Sequence, residues 1–159
     1  MKTWARWIAC VAIACWATAL ASDAKKGKDS KLTELNTGKY RVGQVWKFKP
    51  RPGEDGATLT VVRVESSKDL GVIVHVSVKG VHIRNPRAPG GFSDTLQHGP
   101  FSEAAIAKSV TTLVGETKTL PAYEAGYREW RKAFDARKAG VFSITVAEAV
   151  GFMESAINR

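Results

Sequence analysis

The sequence predicts an α+β domain: a small antiparallel sheet, built as a three-stranded meander plus a short fourth strand, with about three helices covering one face. Three observations carry this. In residues 71–84, Val72, Val74, Val76 and Val78 fall on one face and Ile73, His75, Ser77 and Lys79 on the other. That is the period of a half-buried strand. Two shorter strand-like stretches precede it, joined by turns too short for a parallel crossover. Helical periodicity and capping signals follow it.

The first residues read as a leader. Lys2 and Arg6 precede an uncharged apolar run from Trp7 to Leu20, and Ala19-Leu20-Ala21 places small residues where a signal peptidase reads them. Residues 1–21 are therefore expected to be a signal peptide cleaved after Ala21, with no transmembrane span left afterwards. A lipoprotein starting at Cys15 is the minor alternative, because Ala12-Ile13-Ala14 matches the required box poorly. Both cysteines, Cys10 and Cys15, lie in this leader. The exported domain is thus expected to rely on its core rather than on disulfides.

The net charge is +9. The excess is concentrated in residues 25–51, where only Asp29 and Glu34 offset the lysines and arginines. Residues 22–38 have almost no apolar content and read as a basic disordered tether, which leaves residues 39–159 as one domain. Such an arm attracts anionic surfaces. An exported chain seldom meets nucleic acid, so the expected partner is an acidic protein or an anionic envelope component.

Tyr40 to Lys49 reads as the first strand, with Trp46 and Phe48 sharing a face. Pro50-Arg51-Pro52-Gly53-Glu54-Asp55-Gly56 breaks it. The adjacent Glu54 and Asp55 read as turn chemistry rather than as a metal site. Ala57 to Glu65 is the second strand, and Ser66-Ser67-Lys68-Asp69 leads to the third. Gly80 shifts the alternation there, which predicts a bulge. Arg84 to Phe101 is rich in Pro and Gly and reads as a long ordered binding loop pinned by Phe92 and Leu96.

Ser102 is placed to cap a helix, with Phe101 and Ile106 as its staple. That helix is expected to bury Ile106, Val110 and Leu113 and to end at Gly115. Pro121 opens a second helix whose Tyr123, Tyr127, Trp130 and Phe134 make one aromatic face, ending at Gly140. This face is expected on the Val72–Val78 side of the sheet. Val141 to Ile144 is a short strand of undetermined pairing. Thr145 and Glu148 form a capping box for a last helix that buries Val146, Val150, Met153 and Ile157.

No catalytic set stands out. His75, His82 and His98 lack the spacing of a zinc site, and no metal or cofactor is expected. Ser93, Asp94 and His98 share the loop, but no strand-to-helix elbow holds the serine, and a local turn explains the pair Ser93-Asp94 as well. Arg51, Arg63, Arg84 and Arg87 form a basic constellation; Arg84 and Arg87 flank a proline, Arg51 sits between two, and guanidinium forks on stiff backbone suit carboxylate or phosphate. The expected binding residues are Arg51, Arg84, Arg87, Phe92, Asp94 and His98.

Trp46-Lys47-Phe48 followed by Arg51-Pro52-Gly53-Glu54 and Thr58-Leu59, Asn85-Pro86 with Ala88-Pro89-Gly90-Gly91, and Pro100-Phe101-Ser102-Glu103 resemble stretches of a family of small uncharacterised exported bacterial proteins. The resemblance implies an exported bacterial domain and carries over no activity or binding residue. The leading expectation is a non-enzymatic periplasmic binding protein, of inhibitor or immunity type or an envelope-complex accessory, acting through Arg84–Pro100. One alternative is an envelope hydrolase with His98 as base, assisted by Asp94 or Glu103. Another is anionic-surface binding through the basic arm.

Overall fold

The computed structural model describes residues 31–159. The expected signal peptide, and the expected tether as far as residue 30, lie outside the described residues.

The order along the chain is β1 (Leu32–Glu34), β2 (Gln44–Phe48), β3 (Thr58–Ser67), β4 (Gly71–Arg84), β5 (Phe92–Ser102), α1 (Glu103–Ser109), β6 (Val110–Glu116), α2 (Glu124–Asp135) and α3 (Val146–Ile157). The α+β class holds, but the sheet is larger than the sequence predicts. Its spatial order is β5-β4-β3-β2-β6, all antiparallel, with β1 pairing the far end of β3. β1 itself falls inside the stretch read as tether. Leu32–Glu34 pair with Glu65–Ser67, a partner that local composition does not reveal.

Two further corrections concern strands. The expected loop Arg84–Phe101 is mostly β5. Only Asn85–Gly91 turns the chain, closed by a single 3-10 turn at Pro89–Gly91. Pro100 is tolerated because β5 is an edge strand. The expected helix after Ser102 stops at Ser109, and Val110–Glu116 leaves it to become β6 against β2. The β-branched run Val110-Thr111-Thr112 and the otherwise unpaired edge of β2 outweigh the helical spacing. Two register shifts in the β2–β6 pairing distort this outer edge, which discourages further strand addition.

Both faces of the sheet are covered, not one. Leu59, Val61, Val64, Val74, Val76, Val78 and Phe101 form the main core with Ala105 and Ile106 of α1 and Val146, Ala149 and Val150 of α3. Phe48 joins this core and Trp46 packs at its margin. The other face carries Ile73, His75 and Ser77, all buried, and it lies under α2. The aromatic stripe of α2 therefore sits opposite the face expected for it. Burial through residues 73–78 of β4 is continuous for this reason.

The capping signals act as read. Ser102 Oγ accepts from the Ala105 N–H at the start of α1, and Thr145 with Glu148 closes a capping box on α3. Ser109 Oγ donates to Ala105 O and accepts from the Val146 N–H, which ties the end of α1 to the start of α3. α2 is shorter than expected. It begins at Glu124 and ends at Asp135, where Arg137 takes a left-handed φ of 58°. The expected strand at residues 141–144 is a single parallel bridge from Phe142 to Phe101. Gly80 has φ 81°, and the β4–β5 register shifts between Lys79 and Ile83, as a bulge requires.

Candidate functional site

Two places on the fold gather chemically capable side chains. The first is the end of the β4–β5 hairpin. Arg84 is the register partner of Phe92. Phe92 is 47% exposed, yet its ring stacks on His82 with centroids 4.0 Å apart. The turn between them is fixed from within. Asn85 donates its N–H to Gly91 O, its Nδ2 donates to Ser93 Oγ, and its Oδ1 accepts from the Arg87 N–H. The Arg84 and Arg87 side chains are exposed and meet no ion partner among the described residues.

Arg51 is different. Its guanidinium is held by Glu54 and Glu154, and it donates to His82 O at 3.0 Å. Glu54 also accepts from the His82 N–H at 2.7 Å, and Glu154 accepts from the Arg84 N–H. Arg51 thus braces the hairpin from below and is neutralised in doing so. A hollow of about 380 Å³ opens here, lined by Arg51, Pro52, Gly53, Glu54, His82 and Glu154. Asp94 is exposed, and among the described residues it accepts only from the hydroxyl of its neighbour Thr95.

The second place is a buried column under α2. His98, expected on a binding loop, lies on β5 with its ring against His75. His75 Nδ1 and His98 Nε2 are 2.9 Å apart, and the two rings lie edge to edge with centroids 5.2 Å apart and planes within 19° of each other. His75 Nε2 lies 3.1 Å from Glu65 Oε2. That contact is close but bent, and neither atom finds a well-aligned hydrogen bond among the described residues. Glu65 Oε1 accepts from Arg63 Nε at 3.0 Å and from the Tyr127 hydroxyl at 2.9 Å. Arg63 reaches on to Glu34 of β1. Tyr127 and Trp130 of α2 pack edge-on against His75.

Two bulges build this column. β3 takes an extra residue between Val61 and Arg63, and β5 takes one between Leu96 and Gly99. Each insertion reverses the alternation, so Arg63, Glu65 and His98 turn from the main core to the His75 face. Sequence reading missed Glu65, Tyr127 and Arg63 as companions of the histidines. The available signals were Val61-Val62, which breaks the alternation, and Gly99-Pro100, which marks irregular backbone.

Burial alone would raise the Glu65 carboxyl, but the close contact with His75 and the hydrogen bonds from Arg63 and Tyr127 outweigh it and hold Glu65 at about 2. Burial lowers His75, although Glu65 opposes it. Burial and then repulsion from His75 lower His98 to about 3. The neutral column has one consistent proton order. His75 presents Nε2–H to the Glu65 carboxylate, so its Nδ1 accepts from His98 Nε2–H.

Asp94 and Glu103, the carboxylates expected to assist His98, have no hydrogen bond or ion pair with it; its acidic companion is Glu65, through His75. His98 is 9% exposed and His75 fully buried. The 380 Å³ hollow and a second one of about 460 Å³, at Val42, Glu116, Thr117, Lys118 and Leu120, do not reach the column. Among the described residues no cluster of three or more His, Cys, Asp or Glu side chains could hold a metal, and no helix is long and apolar enough to cross a membrane. Comparison with family models, with curated proteins and with solved structures gave no match.

Proposed function

We propose that this chain is an exported, non-enzymatic binding protein that docks an acidic protein surface with the end of its β4–β5 hairpin. The observation that carries the reading is Phe92, half exposed on His82 and opposite Arg84, on a turn stiffened by Asn85. A rigid aromatic beside unneutralised arginines is the composition of an interface anchor. The unpaired guanidiniums of Arg84 and Arg87 supply the charge complement. The hollow beside His82 offers space for one partner side chain. Arg51 acts in this reading as a brace, and His98 takes no part in the contact.

The hydrolase alternative has a carboxylate–histidine pair in its favour, but that pair is sealed by Tyr127 and Trp130. A base must reach a substrate proton. The test is capture from an envelope fraction with the wild-type chain and with a Phe92→Ala/Arg84→Glu/Arg87→Glu variant of unchanged thermal stability. The expected result is a partner retained by the first and lost by the second. Equal capture by both overturns the assignment.

A further inference from the structure

We infer that α2 is an acid-released cover: protonation of the His75–His98 pair lifts Glu124–Asp135 off the sheet while the rest of the fold stays closed.

The geometry supplies the mechanism. The two imidazoles share one N–H between facing nitrogens 2.9 Å apart. A first proton taken at His98 Nδ1 keeps that bond. A second makes both rings cationic, and two N–H groups then point at each other. The rings must separate, and α2 lies over both. Gly126 of α2 sits so close to His98 that a Cβ there would be 2.8 Å from His98 Cβ. Tyr127 is 5.3 Å and Trp130 4.8 Å from the His75 ring. Rearrangement of the pair therefore acts directly on the underside of the helix.

The charges around the pair do not stabilise a double cation. On β3, Arg63 repels it and Glu65 attracts it, but Glu65 is already shared between Arg63 and Tyr127. On β1, Glu34 is paired with Arg63. On α2, Tyr127 is raised above its ordinary value, chiefly by burial, and stays neutral. Arg131 adds positive charge but is paired with Asp135. One carboxylate, in a bent contact, faces two imidazoles.

The attachment of α2 is slight compared with that of the opposite layer. Phe134 is its one buried residue, whereas α3 buries Val146, Ala149 and Val150 in the main core. Release of α2 breaks the Tyr127–Glu65 bond and uncovers the His75 face, but leaves the Val74–Val78 core under α1 and α3 intact. This is a local opening rather than unfolding.

Hydrogen exchange of the purified wild-type chain at several pH values from 7 to 4.5, corrected for intrinsic exchange, tests the inference. Each proton taken up on opening raises the opening constant about tenfold per pH unit below roughly 6.5. The expected result is that rise in residues 124–135, with residues 71–84 and 146–157 still protected. His98→Gln should remove one proton's share of that slope, leaving the share of His75. Flat protection of α2 over this range overturns the inference. So does simultaneous loss of protection in all three segments, or an unchanged slope in a folded His98→Gln. The wild-type profile decides by itself if the variant does not fold.

Discussion

Gly126 and Gly151 both lie in helices, and alanine should stabilise the second but not the first. In an exposed helix interior, Gly→Ala stabilises by ~1 kcal/mol, because the unfolded chain loses freedom. At Gly151 in α3 an added methyl would have no neighbour within 4 Å, so this position should show that full gain. Gly126 receives the same backbone benefit, but its methyl would lie 2.8 Å from His98 Cβ and 3.5 Å from Cγ. Cβ is fixed to the β5 backbone and cannot swing away, so α2 must rise. Overpacking of this kind costs ~1–3 kcal/mol. Gly126→Ala should therefore be neutral to destabilising by ~2 kcal/mol once the propensity gain is offset. Urea unfolding of both variants at neutral pH gives the comparison, and the difference between them is the packing cost. Equal stabilisation by the two alanines would refute the close seating of α2 on His98.

Ser109→Ala removes a donor to Ala105 O and the acceptor for the buried Val146 N–H; a loss of ~1–3 kcal/mol is expected in urea unfolding, and a loss below ~0.5 kcal/mol would mean the bond is replaced. Glu54→Ala leaves the His82 N–H and Arg51 short of an acceptor, with a similar cost of ~1–3 kcal/mol and faster exchange of the His82 amide. Stability should fall on acidification in two stages. The folded values of His75 and His98 lie below the ordinary 6.5, so their contribution is whole above 6.5 and is lost progressively as pH falls below it, for His98 down to about 3. Glu65, at about 2 against an ordinary 4.5, adds a loss between those values. Each neutral histidine gives a slope of ~1.4 kcal/mol per pH unit in chemical denaturation, and stability independent of pH between 6.5 and 4.5 would count against the buried pair.

The sequence carried the elements whose signals are local. The Val72–Val78 alternation, the Gly80 bulge, the Ser102 cap and the Thr145–Glu148 box all depend on residues a few positions apart, and the fold uses each of them. What it concealed depends on partners distant in the chain. Val110–Leu113 has helical spacing, but β2 offers an edge, and the segment becomes a strand. Arg84–Phe101 has the composition of a loop, but β4 pairs with most of it. The column at His75 was hidden for a sharper reason. Period-two reading assigns faces by parity, and insertions at Val61–Arg63 and Leu96–Gly99 invert parity on both neighbours of β4. Glu65 and His98 then meet His75 across a face that parity would have left to solvent. Arg84 and Phe92 were named as binding residues separately; their pairing across a hairpin needed the register.

The connections on either side of α2 are moored. Thr117 donates its N–H to Gly43 O before the helix, and Phe142 bonds to Pro100 and Ser102 of β5 after it. A helix dislodged from its seat remains leashed at both ends. Its return is then a unimolecular step, at an effective concentration on the order of millimolar or above, and does not depend on how much protein is present. The same double mooring opposes exchange of the helix with that of a neighbouring molecule.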